Sequence, residues 1–112
     1  MAAKFELKQG SSGQFLFNLK AANGEVILTS ELYKEKSSAE HGIDSVRANA
    51  TEDARFEHKT SKNGQPFFVL KAPNGEIIGK SEMYASATAM ENGIASVKKN
   101  APSAAIDDKT AA

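Results

Sequence analysis

The sequence predicts an α+β domain built by tandem duplication of a βββα unit. Its two copies merge into a single, mainly antiparallel six-stranded sheet with both helices on one face and an approximate two-fold axis between them. Three observations carry this expectation. Slid against itself by 51 residues, the chain stays in register without a gap from Phe5/Phe56 to Ala50/Ala101, and roughly half of the aligned positions are identical. Within each copy, short runs of period-two hydrophobicity give way to one stripe of helical period. Each copy is only about 50 residues, a size at which a fold buries just ~60% of its extended surface. With no cysteine and no cluster of ligand residues to staple it, each copy is expected to hide its apolar side against the other. The runner-up architecture is a pair of three-stranded sheets packed helix to helix.

The elements follow in order. Met1 to Ala3 should fray. In Lys4 to Lys8, Phe5 and Leu7 alternate with Glu6 and Lys8, the pattern of a half-buried strand. Gln9 to Gln14 and its counterpart Ser61 to Gln65 hold the glycines of hairpin loops. Phe15 to Lys20 is the second strand, with Phe17 and Leu19, repeated as Phe68 and Leu70, assigned to the core. Asn23-Gly24 and Asn74-Gly75 signal a second hairpin in each copy, most simply a two-residue type I′ turn. Glu25 to Thr29 and Glu76 to Lys80 form the third strands. Ser37-x-x-Glu40 and Thr88-x-x-Glu91 read as capping boxes. From there Ala39, Ile43, Val46 and Ala50 make one helical stripe. Gly42 and Gly93 lie on the same stripe, where a glycine costs ~1 kcal/mol relative to alanine; their presence in both copies implies a close approach of helix to sheet. Pro102 ends the second helix. The domain is thus residues 1–101, with repeats 4–50 and 55–101, followed by a mobile tail over 102–112.

Composition narrows the function classes. Fourteen basic and 14 acidic residues give zero net charge, so nothing attracts the chain in bulk to nucleic acid or to anionic lipid. Lys8, Lys20, Lys59 and Lys71 would share their sheet face with Glu6, Glu25, Glu57 and Glu76, which cancel the field; nucleic-acid binding is disfavoured. The longest apolar run, Phe67 to Leu70, is far too short to span a membrane, and no signal-peptide pattern opens the chain. A chain without cysteine suits the cytoplasm. His41 and His58 do not fall at matching repeat positions and show no ligand spacing, so no metal or cofactor is expected.

Two sets of residues could carry a function. The first is the duplicated Ser-Glu-x-Tyr segment: Ser30, Glu31 and Tyr33, with Ser81, Glu82 and Tyr84. A hydroxyl, a carboxylate and a phenol at each strand-to-helix junction could frame two symmetry-related polar pockets. The plainer role is structural, with the rings packed over the core edge. The second set is an apolar patch on the helix-free face, made by Leu16, Phe67 and Val69.

The pattern K-A-x-N-G-E, then S-E-x-Y, then a helix carrying G-I-x-S-V-x-x-N-A, resembles the YegP-like family of small bacterial proteins. Here the residues are Lys20 to Glu25 and Lys71 to Glu76, the two Ser-Glu-x-Tyr segments, and Gly42-Ile43 with Gly93-Ile94. The resemblance spans residues 4 to 101 and implies the same merged fold. It implies no activity. The expectation is therefore a non-catalytic interaction or accessory module with an unknown protein partner, or one that self-associates. A small-ligand or enzyme reading through the Ser-Glu-x-Tyr segments stays open.

Overall fold

The computed structural model describes residues 3–110. Its elements are β1 (Lys4–Gln9), β2 (Phe15–Lys20), β3 (Val26–Ser30), α1 (Lys36–Asn49), β4 (Phe56–Thr60), β5 (Pro66–Lys71), β6 (Ile77–Lys80), α2 (Ala87–Asn100) and β7 (Ala105–Asp108). They form one seven-stranded sheet in the order β4-β5-β6-β3-β2-β1-β7. Each copy contributes an antiparallel three-stranded meander, and the copies join where β3 pairs antiparallel with β6, Thr29 opposite Lys80. Thr29 and Lys80 are themselves repeat counterparts, 51 residues apart, so the pseudo-two-fold axis passes between them. The merged sheet replaces the helix-to-helix alternative.

Strand alternation decides which side is greasy. Phe5, Leu7, Phe17, Leu19, Phe68 and Leu70 are wholly buried in one core with Ile43, Val46, Ile94 and Val97 of the helices. The other parity forms an unbroken cross-strand row on the helix-free face: Asp107, Glu6, Asn18, Thr29, Lys80, Val69, Glu57. This row is largely self-covering. The Asn18 side-chain amide donates to Thr29 Oγ1 at 2.9 Å, Lys20 and Lys8 pair with Glu6 at 3.1 and 3.2 Å, and Lys71 and Lys59 pair with Glu57. Glu57 is accordingly held down to about 2, chiefly by the Lys71 hydrogen bond.

Three local expectations are corrected. The Asn-Gly loops are three-residue turns, not type I′: Gly24 N–H donates to Ala21 O, Ala21 N–H closes onto Glu25 O, and only Gly24, at φ +87°, is left-handed. Asn23 keeps negative φ and turns its Oδ1 to accept from Glu25 N–H at 3.0 Å, the combination that carries the strand twist across a three-residue loop. The capping boxes do not form. α2 starts at Ala87, with the Ser86 hydroxyl accepting from Ala89 N–H at 3.1 Å, while Glu35 precedes α1 without a side-chain cap. Tyr33 and Tyr84 are pinned to the sheet by backbone hydrogen bonds, so each helix must begin sooner than Ser37 or Thr88 would allow.

The third correction concerns the tail. Met1 and Ala2, expected to fray, and Ala111 and Ala112 of the tail lie outside the described residues, whereas Ala3 is buried. Of the segment expected to be mobile, Ala101–Ser103 makes a 3-10 turn, and Ala105–Asp108 becomes β7, parallel to β1. Hydrophobicity does not hold it, since its one large apolar residue, Ile106, is exposed. Polar contacts do: Lys4 to Asp107 at 3.0 Å, Lys36 to Asp108 at 2.5 Å, Arg47 Nη2 donating to Ala104 O at 2.5 Å, and Lys109 N–H donating to Leu7 O at 2.7 Å.

A pH dependence follows. The Lys4 ammonium lowers Asp107, and the Lys36 ammonium with Thr110 lowers Asp108 to about 2. A carboxyl depressed in the folded state contributes stability that is complete above its ordinary value of about 4 and is lost as pH falls through the depressed one. Amide protection along Ala105–Asp108 is therefore expected to fall on acidification from about pH 4 towards pH 2, ahead of β2 and β5. NMR hydrogen exchange measures it; β7 amides as protected as those of β2 throughout would contradict it.

Candidate functional site

Each Ser-Glu-x-Tyr segment closes a strand. The Ser30 hydroxyl accepts from Phe17 N–H at 2.9 Å and donates to Glu31 O at 2.7 Å; Ser81 does the same with Phe68 N–H at 2.9 Å and Glu82 O at 2.8 Å. The hydroxyl stands in for a backbone carbonyl just past the last paired residues, Asn18–Thr29 and Val69–Lys80, and both serines are buried. Glu31 and Leu32 loop outward before Tyr33 returns to β2, exchanging two backbone hydrogen bonds of 2.7 Å with Phe15. In the second copy Pro66 stands at the Phe15 position and has no N–H, so only Tyr84 N–H to Pro66 O, 2.9 Å, remains.

The tyrosines then leave the site. The Tyr33 ring lies nearly parallel to Phe17 at 6.4 Å between centroids, and Tyr84 lies over Phe68 at 6.2 Å. Their hydroxyls abut Gly42 and Gly93, where a side chain would collide with them. Burial, reinforced by the fields of Glu31 and Glu76 on Tyr33 and of Glu82 and Glu25 on Tyr84, raises both phenols. They stay protonated at neutral pH.

What the fold brings together is the Ser-Glu halves of both copies. At the β3–β6 seam, Thr29, Ser30, Glu31, Lys80, Ser81, Glu82 and Met83 line one cleft of about 340 Å³. This cleft sits on the pseudo-two-fold axis, and Tyr33 and Tyr84 do not line it. Tyr84 faces a smaller groove of about 210 Å³ between α2 and the β2–β3 hairpin, beside Asn23, Glu25, Asn92 and Ser96.

The proposed apolar patch is not continuous. Val69 is only 2% exposed, sheltered by its cross-strand neighbours, and the Lys80 ammonium stands 5.3 Å from the Phe67 ring centroid. Leu16 and Phe67 are half-buried counterparts on β2 and β5, with β3 and β6 between them. Exposed large apolar residues are Ile106 (42%), Ile77 (39%), and Leu32 (59%) and Met83 (40%), the last two at the variable position of the two motifs. Sequence reasoning passed over these two. The signal was a long apolar residue kept in both copies at a point that belongs to neither strand nor helix.

Chemically, the cleft offers two exposed carboxylates, an ammonium and aliphatic surface. Its serine hydroxyls are committed to backbone groups, and no imidazole lines it to activate them as nucleophiles. Among the described residues no group of three or more His, Cys, Asp or Glu could hold a metal ion, and no helix is long and apolar enough to cross a membrane. Ser30→Ala and Ser81→Ala each leave a buried phenylalanine amide unpaired, so each is expected to destabilise by ~1–3 kcal/mol. Urea denaturation should show this as a lower midpoint at unchanged slope; wild-type midpoints in both variants would refute the structural role.

Comparison with known proteins matches residues 11–57 and 61–108 to the family model "Domain of unknown function (DUF1508)", one match per repeat. The UPF0339 protein PA0329 of Pseudomonas aeruginosa and the UPF0339 protein YegP of Escherichia coli K12 are each 56% identical over 110 residues, covering 98% of this chain and 100% of the relative. The solution NMR structure of yegP from E. coli, a protein of unknown function, superimposes with a TM-score of 0.94 at 55% identity, covering 100% of this chain and 97% of that one. The solution NMR structure of UPF0339 protein SO3888 from Shewanella oneidensis gives 0.92 at 51% identity, with 98% and 93% coverage.

Proposed function

This chain belongs to the DUF1508 (UPF0339, YegP-like) family, and on that premise we propose that it is a cytoplasmic, non-catalytic interaction module whose docking site is the cleft on its pseudo-two-fold axis. One observation carries the reading: duplication places both Ser-Glu-x segments around a single cleft of about 340 Å³, with exposed Met83 on its lining and exposed Leu32 at the counterpart position. Structural need accounts for the serines and tyrosines, but not for two long apolar side chains held in water beside two carboxylates. A partner that fits presents a basic residue next to an aliphatic or aromatic one. The cysteine-free composition suits a reducing compartment.

The test is affinity capture from the native host with wild type, a Glu31→Lys/Glu82→Lys variant and a Leu32→Ser/Met83→Ser variant, with Phe67→Lys as a control outside the cleft. The four cleft positions are exposed and Phe67 is half-buried, so the fold should persist, which thermal melts check. The same partner lost from both cleft variants and kept by Phe67→Lys is the expected result. An unchanged captured set overturns the reading. The groove beside Tyr84, with Glu25, Asn92 and Ser96, supports a second reading as a small-ligand site. Saturable ligand-induced shifts at Asn92 and Ser96, with none at Glu31 or Glu82, would favour it over the cleft.

A further inference from the structure

The two outer edges of the sheet are repeat counterparts, yet only one is covered. β7 lies along β1, while β4 has β5 on one side and, among the described residues, no strand on the other. The consequence can be read from side chains that duplication placed in equivalent positions. Phe5 is wholly buried, whereas its counterpart Phe56 is half-buried; Leu7 is wholly buried, whereas its counterpart His58 is exposed. Of the three basic side chains that hold β7 and its lead-in, two recur in kind, Lys4 as Arg55 and Arg47 as Lys98, whereas Lys36 becomes Ala87. The head of the second cradle is filled from within. Lys98 bonds Asp53, the counterpart of the Ala104 whose carbonyl takes a hydrogen bond from Arg47. From Asp53 the chain turns into β4 itself instead of running on beside it; Phe56 N–H donates to Asp53 O, and beyond it the outer edge of β4, Glu57 to Thr60, pairs with no strand among the described residues.

We propose that the free edge of β4 is a docking strand for an extended acidic segment of another protein, added parallel to β4 as β7 is added to β1. The direction and chemistry come from the occupied edge. There the backbone pairs in parallel, and two consecutive aspartates meet lysines, Asp107 with Lys4 and Asp108 with Lys36. In the same register on β4, the first acidic side chain lies opposite Glu57 and beside Arg55, whose Nε stands 3.6 Å from Glu52 Oε2. The second falls next to His58, whose Nε2 stands 3.0 Å from Glu91. Strand addition supplies the backbone hydrogen bonds, and the charged side chains select the segment. The chain's own tail is engaged on β1 by Lys4, Lys36 and Arg47, so the occupant comes from a different protein. This surface is separate from the central cleft and does not depend on it.

The test titrates full-length, isotope-labelled protein with the octapeptide SAAIDDKT, the sequence of residues 103–110, and with the same peptide carrying lysine for both aspartates. Saturable amide shifts at Phe56 to Thr60 with the acidic peptide, absent with the lysine peptide, are expected. Arg55→Glu should weaken that binding about tenfold, while Glu31→Lys/Glu82→Lys leaves it unchanged, which separates this surface from the cleft. The proposal is overturned by any of four outcomes: no saturable shift at millimolar peptide, equal response to both peptides, shifts confined to Lys4 to Gln9, or β4 shifts that appear on raising protein concentration alone. The third would mean displacement of β7, and the fourth would assign the edge to a second copy of this chain.

Discussion

Replacing Gly93 by alanine is expected to destabilise the protein, although alanine is the better helix former by ~1 kcal/mol. A Cβ at Gly93 would stand 2.1 Å from the Tyr84 hydroxyl oxygen and 2.6 Å from its Cζ; at Gly42 the corresponding contacts are 2.6 Å to the Tyr33 hydroxyl and 2.9 Å to Phe17 Cε2. Neither ring can retreat, because each lies stacked on a buried phenylalanine and its residue is tied by backbone hydrogen bonds to the neighbouring strand. Overpacking of this kind costs ~1–3 kcal/mol and more where the neighbour is fixed. A net loss of about 2 kcal/mol is expected in each variant by urea denaturation. Tyr84→Phe in the Gly93→Ala background should recover only part of it, since the ring carbon behind the hydroxyl still collides. A Gly93→Ala protein as stable as wild type would show that the helix does not rest on the tyrosine.

The second large effect is expected at the join between copies. Gly79 on β6 is the repeat counterpart of Leu28 on β3, and a Cβ on Gly79 would lie 2.8 Å from Leu28 Cγ. Two leucines cannot meet across the axis, so one copy carries the leucine and the other makes room. Leu28→Ala should cost ~2–5 kcal/mol, as truncation of a buried leucine does, and Gly79→Leu should cost a comparable amount by overpacking. The exchange Leu28→Ala/Gly79→Leu restores one leucine on the opposite side of the axis. It is expected to be more stable than the two single losses sum to, with a coupling of ~0.5–3 kcal/mol. Additive losses would mean that the two positions do not share one space.

These positions also show which features the sequence displayed. The duplication, the parity that sends Phe17 and Leu19 inward, the helical stripe and the close approach at Gly42 and Gly93 were all legible, because each is a local pattern written twice. β7 was not. Its pairing rests on Asp107 and Asp108 meeting Lys4 and Lys36, far apart in sequence, and Ala-Ile-Asp-Asp has no strand alternation to announce it. The helix starts were misplaced because Ser37 and Thr88 satisfy a capping motif locally, while Tyr33 and Tyr84 fix the entry point through strands elsewhere in the fold. In the candidate site, the Ser-Glu-x-Tyr residues were visible as a motif, but their division was not. Whether the serines and glutamates of two copies meet depends on which sheet edges join. Leu32 and Met83 became notable only once their exposure was known.

The joined sheet explains why the chain is duplicated. α1 packs on β5 and β6 of the other copy as well as on β2, and α2 packs on β3 as well as on β5, so each helix straddles the join and neither copy owns a complete core. The most direct measurement is the amide spectrum and urea transition of residues 1–51 alone, kept dilute enough to remain monomeric. Collapsed amide dispersion with no cooperative transition is the expected result. A sharp, well-dispersed spectrum and a cooperative melt would contradict it, and would turn the central cleft from a product of the fold into a chance meeting of two independent modules.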